Sequence, residues 1–347
     1  MTIRMPKPSD FQPLDWRNLL SERAARLHEQ AIVVDMCLPW TAENVPDREG
    51  VLEGYSAAGG TVTSLSSAFG NFSSFETTMR HISADRRRIA NRSDTMMLVE
   101  TAEDIERAKR EKKLGAYFNL QGCDPLNGDV NMVETYYRLG VRQMLFCYNT
   151  KNVAGDGCHE RTDAGLSRFG IDLIKEMNRV GMIIDCTHTG YKTTMEMMEH
   201  SSDPVIFSHS NARALFDHPR NISDDQILRC AEKGGLVGVN GFGPFLGNDA
   251  SVENVVRHID HIVQLAGPKH AGIGFDAVYT PHITYRRILG NREAYPGYPE
   301  PPWEFLLPHR APEITEELVK LGYDDDAILD ILGANFLRVA RAVWRPI

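Results

Sequence analysis

Short apolar runs alternate with longer amphipathic segments along most of the chain, and this alternation constrains the fold more than any other feature of the sequence. Each run is bounded by turn residues, as expected for a strand that is buried on both faces. The sequence predicts eight strands, at 31–37, 60–65, 115–121, 142–148, 182–187, 204–208, 236–240 and 271–275. Eight strand–helix units indicate an α/β fold, a (β/α)₈ TIM barrel with a parallel sheet.

The segments between these runs have the spacing of amphipathic helices. In 166–180, for example, apolar residues recur at Leu166, Phe169, Leu173 and Met177, which lie on one face of a helix. We predict further helices at 102–112, 131–139, 252–265 and 313–321. An additional apolar run at 96–99 leaves the number of strands open by one, and a doubly wound open sheet is the structural alternative.

The chain of 347 residues has no Pro-, Gly- or Ser-rich linker long enough to separate two domains. We therefore predict a single barrel domain over 1–347, with a helical extension at 1–30. The segment 281–308 is rich in Pro, Gly and aromatic residues and has little periodicity, so we predict a long ordered loop after the last strand. Its residues Trp303 and Phe305 are candidates for the pocket wall or for a subunit contact.

The charge balance and the apolar content exclude several classes of protein. The chain has 47 Asp and Glu against 38 Lys and Arg, a formal net charge of −9, which argues against nucleic acid as a partner. No apolar run approaches the roughly 18 residues of a membrane span, and 1–30 lacks the apolar stretch of a signal peptide. We expect a cytoplasmic protein with a small-molecule substrate, whose six cysteines are thiols and mostly small buried hydrophobic residues.

Residues that are able to bind a metal or to take part in catalysis stand at the C-terminal ends of the predicted strands, where a barrel has its active site. In chain order they are Asp35 and Cys37 (first strand), Gln121 (third), Tyr148 and Asn149 (fourth), His188 (fifth), His209 (sixth) and Asp276 (eighth). Asp35 and Cys37 are two residues apart, so they are expected to face the same side of the strand.

Two of these residues, His188 and His209, end consecutive strands opposite the pair Asp35 and Cys37. A single histidine at a strand end is more often structural, but two histidines with a facing cysteine favour a zinc site. Three protein ligands with a water molecule form a catalytic site. In the alternatives, Cys37 fills space in the core and Asp35 is a hydrogen-bonded carboxylate. Asp185 is equally able to pair with a backbone group or with a basic side chain.

Several long stretches of the sequence resemble the renal/membrane dipeptidase family. The two longest are GLSRFGIDLIKEMNRVGMIIDCTH at 165–188 and PVIFSHSNARALFDHPRN at 204–221. The likeness continues through GGLVGVN at 234–240 and GIGFD at 272–276 to LGANFLR at 332–338. It thus covers most of the chain between Ala31 and Trp344.

The resemblance implies a (β/α)₈ barrel that hydrolyses dipeptides and related small amides at two bridged zinc ions. The family's histidine ligands after the fifth and sixth strands match His188 and His209. Its substrate-binding arginine matches Arg220, which would hold a carboxylate through a bidentate pair; taken alone, Arg220 also fits a salt bridge at the start of a helix. Family members commonly form dimers or larger assemblies, so a homo-oligomer is expected.

Four stretches of the chain depart from the family's pattern. The first strand ends in Asp35-x-Cys37 where the family has His-x-Asp. Gln121 stands at the position of the glutamate that bridges the two zinc ions, and because a neutral amide is a poor bridge between cations, one Zn²⁺ is expected rather than two. Tyr148 stands at the position of a histidine that helps to hold the tetrahedral intermediate. The acidic pair after Gly-Ile-Gly is shortened, so Asp276 matches either of two aspartates.

Three hypotheses about function follow. The first is a metal-dependent hydrolase of an amide or peptide-type C–N bond in a small substrate with a carboxylate; a cysteine ligand lowers the net charge of the metal, so ordinary dipeptides are expected to be poor substrates. The stretch CYNTKNVAGDGCHER at 147–161 resembles a family offshoot that also has Gln at the bridging position and occurs in bacterial gene clusters for the breakdown of methylated amines. The second hypothesis is therefore a metal-dependent non-peptidase enzyme, such as a lyase acting on a small methylated amino compound. The third is a barrel that binds a ligand without catalysis.

The hydrolase hypothesis gives each candidate residue a role. Zinc ligands are the softer nitrogen and sulfur donors, proton transfer falls to a carboxylate, and hydrogen-bond donors orient the substrate. The expected metal site comprises Cys37, His188 and His209, with Asp35 as a fourth ligand or as the base and Gln121 beside the ion; Asp276 transfers a proton, Tyr148 donates to the oxyanion, and Arg220 and Asn149 bind substrate together with Tyr148.

Overall fold

The computed structural model describes residues 15–41, 45 and 47–346, and its central element is a parallel β-sheet. The sheet follows the order β1-β2-β4-β5-β6-β7-β8-β9, and β3 pairs with β4 off this path. Because successive strands are neighbours all the way round, the predicted (β/α)₈ barrel is confirmed and the doubly wound alternative is wrong. The strands are β1 (Val34–Leu38), β2 (Val62–Phe69), β3 (Met96–Leu98), β4 (Leu114–Gln121), β5 (Val141–Leu145), β6 (Ile183–Asp185), β7 (Ile206–Phe207), β8 (Leu236–Val239) and β9 (Ala271–Ile273).

The barrel closes where its last strand meets its first. The backbone N–H of Asp276, just after β9, donates to the carbonyl of Cys37 in β1 at 3.1 Å. The next N–H back along the chain, that of Phe275, donates to the Oδ1 atom of Asp35 at 2.9 Å. The ends of β1 and β9 are therefore held side by side, although the two strands are furthest apart in sequence.

Fourteen α-helices lie in the described ranges, and all five helices predicted from spacing are among them. Capping is local: Thr101 forms a capping box with Asp104 at the start of α5, and Gly181 ends α7 with a φ of 90°. The helices are α1 (Trp16–Leu19), α2 (Glu22–Gln30), α3 (Arg48–Ala57), α4 (Phe75–Asn91), α5 (Ala102–Glu111), α6 (Met132–Arg138), α7 (Arg168–Val180), α8 (Tyr191–His200), α9 (Asp224–Glu232), α10 (Val252–Ala266), α11 (Pro281–Leu289), α12 (Ala311–Lys320), α13 (Asp325–Leu329) and α14 (Asn335–Val343).

Side chains fill the N-terminal end of the barrel, and its C-terminal end is left for a functional site. Apolar residues on the inner faces of the strands, among them Met36 and Tyr117, form a buried cluster with residues of α14. Tyr117 stacks on Phe336 with ring centroids 5.5 Å apart, and Trp344 packs against both rings. The N-terminal end of the barrel is thus closed, and a site is left at the C-terminal ends of the strands.

The segment 281–308 is not the uninterrupted loop that its composition predicts. It begins with α11, which has a proline at its first position and ends at Gly290. Apolar residues of this segment pack with two phenylalanines that follow β8, in a cluster separate from the barrel core. We call this group the cap cluster; its members are Phe242, Phe245, Val278, Tyr285, Ile288, Tyr295, Tyr298 and Trp303.

The predicted N-terminal extension is helical where the structure describes it, in α1 and α2, and 1–14 lie outside the described residues. None of the helices seen in the described ranges has both the length and the apolar character needed to cross a membrane. All six cysteines are free thiols, and five of them are buried.

Candidate metal centre

Three potential metal ligands meet at the C-terminal end of the barrel. The Sγ atom of Cys37, a ring nitrogen of His209 and a carboxylate oxygen of Asp276 lie within 4.8 Å of one another. Cys37 comes from β1, His209 follows β7 and Asp276 follows β9, so three strand ends contribute one ligand each. The sequence predicts Cys37 and His209 as ligands, whereas it predicts Asp276 as the proton-transfer residue.

His188 lies beside this group. Its Nε2 atom is 3.0 Å from Nε2 of His209. On the other side of each ring, Nδ1 of His188 is 2.6 Å from Oδ1 of Asn149, and Nδ1 of His209 is 2.7 Å from Oγ of Ser208. Both Nδ1 atoms therefore act as N–H donors, and the two Nε2 atoms turn their lone pairs toward each other. His188 thus contacts His209, but it is not one of the three residues whose ligand atoms all lie within 4.8 Å of one another. We refer to these three residues together with His188 as the ligand group.

The backbone is unusual at three positions around this group. His188, Asp276 and Asn149 have φ values of 65°, 51° and 66°, in the left-handed region that non-glycine residues seldom adopt. Such conformations persist where the surrounding structure holds them, and they concentrate at functional sites. Here they direct side chains from strand ends toward a common point.

Burial sets the protonation of the ligand group. It lowers the pKa of both His188 and His209 well below the usual range, and the nearby guanidinium of Arg220 acts in the same direction, so both rings are neutral. Burial raises the pKa of Asp276 to about 7, with Arg220 opposing the rise. Burial also raises the pKa of the Cys37 thiol well above its usual range, with Asp276 adding to the effect.

The donor atoms of this group fit a zinc ion. Sulfur, imidazole nitrogen and carboxylate oxygen are the atoms that zinc takes in proteins, usually four at a time. The two Nε2 lone pairs, 3.0 Å apart, have no proton between them to share. A cation at this point satisfies both imidazoles and offsets the cost of a buried thiolate and carboxylate.

Gln121 faces the group as a hydrogen-bond donor. Its Nε2 atom donates to Sγ of Cys37 at 3.3 Å and to Oγ of Ser66 at 2.9 Å. An amide N–H has no lone pair for a metal, so in this orientation Gln121 supports the sulfur rather than bridging two ions. It lies beside the ligand group, as predicted, but it is not one of the three residues whose ligand atoms meet there.

Asp35 is not one of the residues whose ligand atoms meet in the group. The pairing of β1 with β2 shifts register between Asp35 and Leu38, so the two-residue alternation on which its predicted placement depends is interrupted there. Oδ1 of Asp35 accepts from the backbone N–H groups of Cys37 and Phe275, and Oδ2 accepts from the hydroxyl of Tyr55. Burial raises the pKa of Asp35 to about 7, and Tyr55 opposes the rise.

A hydrogen-bonded relay supports His209 from below. Oγ of Ser208 is 2.7 Å from Nδ1 of His209 and donates to Oδ2 of Asp185 at 2.5 Å. Asp185 also accepts from the backbone N–H groups of Thr187 and Ser208 and from the amide of Gln143. Of the two partners predicted for Asp185, the backbone is the one observed within the described chain. The carboxylate thereby fixes the orientation of a ligand ring.

Tyr148 and Arg220 lie against His188. The ring of Tyr148 stacks on that of His188, with centroids 4.3 Å apart. Nη2 of Arg220 is 3.4 Å from Nε2 of His188 and donates to the carbonyl of His209 at 3.3 Å. Within the described residues no carboxylate lies within 4.0 Å of this guanidinium, so the helix-start salt bridge is not formed. Asn149, predicted to bind substrate, uses its Oδ1 atom on His188 and has a buried, unpartnered Nδ2.

A small cavity of about 30 Å³ lies over the ligand group and is walled by the cap cluster. Sequence reasoning missed part of its wall, since Arg287 had no assigned role and the aromatic content of 281–308 was the only signal for Tyr295 and Tyr298. A second cavity of about 190 Å³ reaches His188 and Arg220 from the other side. The small cavity is lined by Pro39, Phe69, Gln121, Tyr148, His188, Phe242, Phe245, Asp276, Val278, Thr284, Arg287, Ile288, Tyr295 and Tyr298.

Known proteins that resemble the chain match it over most of its length. The model of the membrane dipeptidase family (peptidase family M19) matches residues 22–282. An uncharacterised protein from the region 5′ of pqqA in Klebsiella pneumoniae is 30% identical over 269 residues, 74% of this chain and 92% of that protein. An uncharacterised dipeptidase of Schizosaccharomyces pombe is 29% identical over 276 residues, 78% of this chain and 63% of that protein, so this chain spans less than two-thirds of that relative.

The structure also has a close relative among solved proteins. An amidohydrolase of Pseudomonas aeruginosa superimposes with a TM-score of 0.84 at 32% sequence identity, and the match covers 92% of this chain and 99% of that chain. The two proteins therefore share the barrel and most of the segments that surround it. All four residues of the ligand group lie inside the range 22–282, whereas the last part of the cap cluster lies beyond it.

Proposed function

Since the chain belongs to the membrane dipeptidase family (peptidase family M19) and is a metallohydrolase of that kind, we propose that it hydrolyses a peptide-type C–N bond in a small substrate that carries a carboxylate. The observation that carries this proposal is the convergence of Cys37, His209 and Asp276, with ligand atoms within 4.8 Å of one another. These ligands come from three strand ends at the C-terminal side of the barrel, where barrel enzymes have their active sites. This position supports a catalytic rather than a purely structural site.

We propose that Cys37, His188, His209 and Asp276 hold one zinc ion. The distance of 3.0 Å between the two Nε2 atoms and the hydrogen bonds on both Nδ1 atoms support the two histidines as ligands. The N–H of Gln121 that faces the Cys37 sulfur supports one ion rather than two, since a bridging position needs an anion there.

When bound, zinc supplies Lewis acidity, lowering the pKa of water and polarising a carbonyl group. Arg220 binds the substrate carboxylate through its guanidinium, whose Nε is buried and has no partner among the described residues. Its position beside His188 and over the ring of Phe245, at 5.0 Å, directs the bound substrate toward the ligand group. Binding at this point orients the scissile bond before the reaction.

Tyr148 and Asp276 are the side chains that act on the reacting atoms. Burial raises the pKa of Tyr148, so its phenol stays protonated and donates a hydrogen bond to the carbonyl oxygen as negative charge develops. Asp276 has two carboxylate oxygens, so it would be able to hold the metal with one of them, while the other would accept a proton from the attacking water and pass it to the leaving nitrogen.

Asp35 is a positioning residue in this proposal. Its Oδ1 atom joins the backbone of Cys37 to that of Phe275, and Phe275 precedes Asp276. Asp35 therefore fixes two strand ends that each carry one member of the ligand group. Its oxygens accept from three donors, so its side chain is held in place between the two strand ends.

The test measures zinc content and hydrolysis of a dipeptide panel by the purified protein and by two cysteine variants. Cys37→Ala is expected to lose both zinc and turnover. Cys230→Ala is the matched control, because Cys230 is buried in the hydrophobic core and its thiol donates to the carbonyls of Val205 and Leu236, away from the ligand group. Tyr148→Phe is expected to keep zinc and to lower kcat by about 10²-fold. Full turnover by Cys37→Ala would overturn the proposal, and a protein with zinc but no peptide turnover would favour the non-peptidase or binding hypothesis.

The cytoplasmic location and the homo-oligomer stay predictions from the sequence. We propose a homo-oligomer because members of the family commonly form dimers or larger assemblies. Light scattering on the purified protein measures the number of chains directly, and a monomer at micromolar concentration contradicts the prediction.

A further inference from the structure

Arg287 is a half-buried cation beside the ligand group, and the proposed function gives it no role. It lies on α11 and lines the small cavity together with Tyr148, His188 and Asp276. Its guanidinium lies 5.8 Å from the centroid of the Phe72 ring; its Nε atom is buried and has no hydrogen-bond partner, and among the residues described no carboxylate lies within 4.0 Å of the guanidinium. A buried guanidinium nitrogen without a partner is costly, so this arginine is suited to an anion that enters the cavity.

Arg220 lines the neighbouring cavity of about 190 Å³, which reaches His188 from the other side. Among the described residues its Nε atom is also buried without a partner, and Nη2 reaches the His188 ring and the His209 carbonyl. Both guanidinium groups are close enough to oppose the effect of burial, which raises the pKa of Asp276. Two cations, one from the loop after β7 and one from α11, therefore lie on the two sides of His188, each in its own cavity.

The remaining wall of the small cavity does not neutralise Arg287. Within the described chain, Asp276 is the one acidic residue on the lining, and it belongs to the ligand group. The other polar groups on the lining are neutral: Gln121, Thr284, the ring of His188 and the phenols of Tyr148, Tyr295 and Tyr298. The cavity thus favours an anionic occupant and disfavours one whose only charge is positive.

We propose that Arg287 is a second anion-binding residue, and that the substrates are small amides or dipeptides with two carboxylates, one bound by Arg220 and one by Arg287. This inference deepens the proposed function and rests on it for the bond that is cleaved. Arg287 determines specificity: the carboxylate at Arg220 is common to all substrates, and the carboxylate at Arg287 distinguishes acidic substrates from neutral ones of equal size.

The same helix provides a matched control. Arg286 is the neighbour of Arg287 on α11, but its side chain is exposed and is not part of the cavity lining. Arg286→Met and Arg287→Met remove the same charge from the same helix, so a difference between them reports the position of the guanidinium. Arg287→Lys keeps the charge but loses the planar fork, and serves if the methionine variant does not fold.

The first experiment compares turnover of isosteric dipeptides by the zinc-loaded enzyme, with the pairs Glu-Ala and Gln-Ala, and Ala-Glu and Ala-Gln. The acidic member of at least one pair is expected to have a kcat/KM about tenfold higher, which is the effect of one charge-assisted hydrogen bond. Arg287→Met is expected to abolish this preference through KM, Arg287→Lys to weaken it, and Arg286→Met to leave it unchanged. Equal kcat/KM within both pairs in the wild type, or a preference that survives in Arg287→Met, overturns the inference.

The second experiment separates this inference from the proposed function, because it needs no turnover. Calorimetry measures the binding of glutarate and of butyrate to the zinc-loaded wild type and to the same variants; both ligands contain the same saturated alkyl part and they differ by one carboxylate. Glutarate is expected to bind about tenfold more tightly than butyrate to the wild type and to Arg286→Met, but not to Arg287→Met. If no dipeptide is hydrolysed and glutarate still shows this pattern, the proposed function fails and the anion site stands. If dipeptides are hydrolysed but glutarate and butyrate bind equally, the proposed function stands and the anion site at Arg287 fails.

Discussion

The Nε2 atoms of His188 and His209 lie 3.0 Å apart and face each other with their lone pairs. Each ring is fixed from behind, since Nδ1 of His188 donates to Asn149 and Nδ1 of His209 to Ser208. Burial keeps both rings neutral. The two lone pairs repel each other unless a cation lies between them, so the fold holds the histidines in an arrangement that zinc stabilises.

Removal of zinc is therefore expected to lower the free energy of unfolding. With free zinc at a thousandfold above Kd, the loss on adding a chelator is about 4 kcal/mol, because the ion binds the folded chain and not the unfolded one. Urea unfolding with and without chelator measures it. In His188→Asn, which keeps a residue type tolerant of the left-handed backbone, the difference between the two conditions should nearly vanish. Equal stability of the wild type in both conditions would contradict a bound metal.

Ser208→Ala is expected to weaken zinc binding without removing a ligand. The hydroxyl of Ser208 joins His209 to Asp185, and loss of such support lowers metal affinity by about 10- to 100-fold. Ser210→Ala is the control, because the hydroxyl of Ser210 is buried without a hydrogen-bond partner among the described residues, and its removal should change stability by no more than about 0.5 kcal/mol. Competition with a zinc-binding dye measures both variants, and equal affinities would show that the relay is structural only.

Most of the fold was predictable because each strand of the barrel is buried on both faces. In β4 all eight residues are buried, so its apolar run stands out from the polar helices around it. Five of the eight predicted strands are too long at the C-terminal end, where the site lies. The run 142–148 forms a strand only over Val141–Leu145, because the chain then leaves the sheet and brings Tyr148 against His188.

The candidate site was predictable only where a residue follows directly from its strand. His188 and His209 are of this kind, since position after a parallel strand is enough to place them at the end of the barrel. The placement of Asp35 depends on a register shift inside β1, which no spacing in the sequence reveals. Arg287 reaches the site because α11 packs through the cap cluster against residues such as Phe242, some forty positions earlier in the chain, and that contact exists only in the folded protein.

Gln121→Glu is expected to leave the zinc content near one ion per chain. The substitution supplies a negative charge, but a second ion also needs ligands on β1, and the oxygens of Asp35 already accept from Tyr55 and from two backbone N–H groups. The new carboxylate loses the N–H that donates to the Cys37 sulfur and brings a second acidic group close to Asp276, so the metal-free variant should be less stable than the wild type. Elemental analysis of the dialysed protein counts the ions, with Gln121→Leu as the control for loss of the amide. Two zinc ions per chain in Gln121→Glu would mean that Gln121 alone limits the wild type to one ion.

The last prediction concerns His28, which joins the N-terminal helix α2 to the rest of the protein. Its Nδ1 atom accepts from the hydroxyl of Thr315 and its Nε2 atom donates to the carbonyl of Ala58, contacts that fit the neutral ring. Burial lowers the pKa of His28 from 6.5 to about 4. Between these values the unfolded chain binds a proton that the folded chain does not, so the free energy of unfolding falls as the pH falls from about 6.5 to about 4, by about 3 kcal/mol in total.

His28→Gln should therefore be less stable than the wild type at pH 8, where the neutral ring makes both hydrogen bonds, and the gap should narrow as the pH falls toward 4. Other buried histidines contribute to the slope of both proteins, because burial also lowers the pKa of His218 and His258 to about 3, so the informative quantity is the difference between the two curves. His200→Gln, at an exposed position at the end of α8, controls for the loss of a histidine. Urea unfolding at intervals between pH 4.5 and 8 gives the curves, and parallel curves for the wild type and His28→Gln would show that His28 does not titrate differently in the folded and unfolded chains.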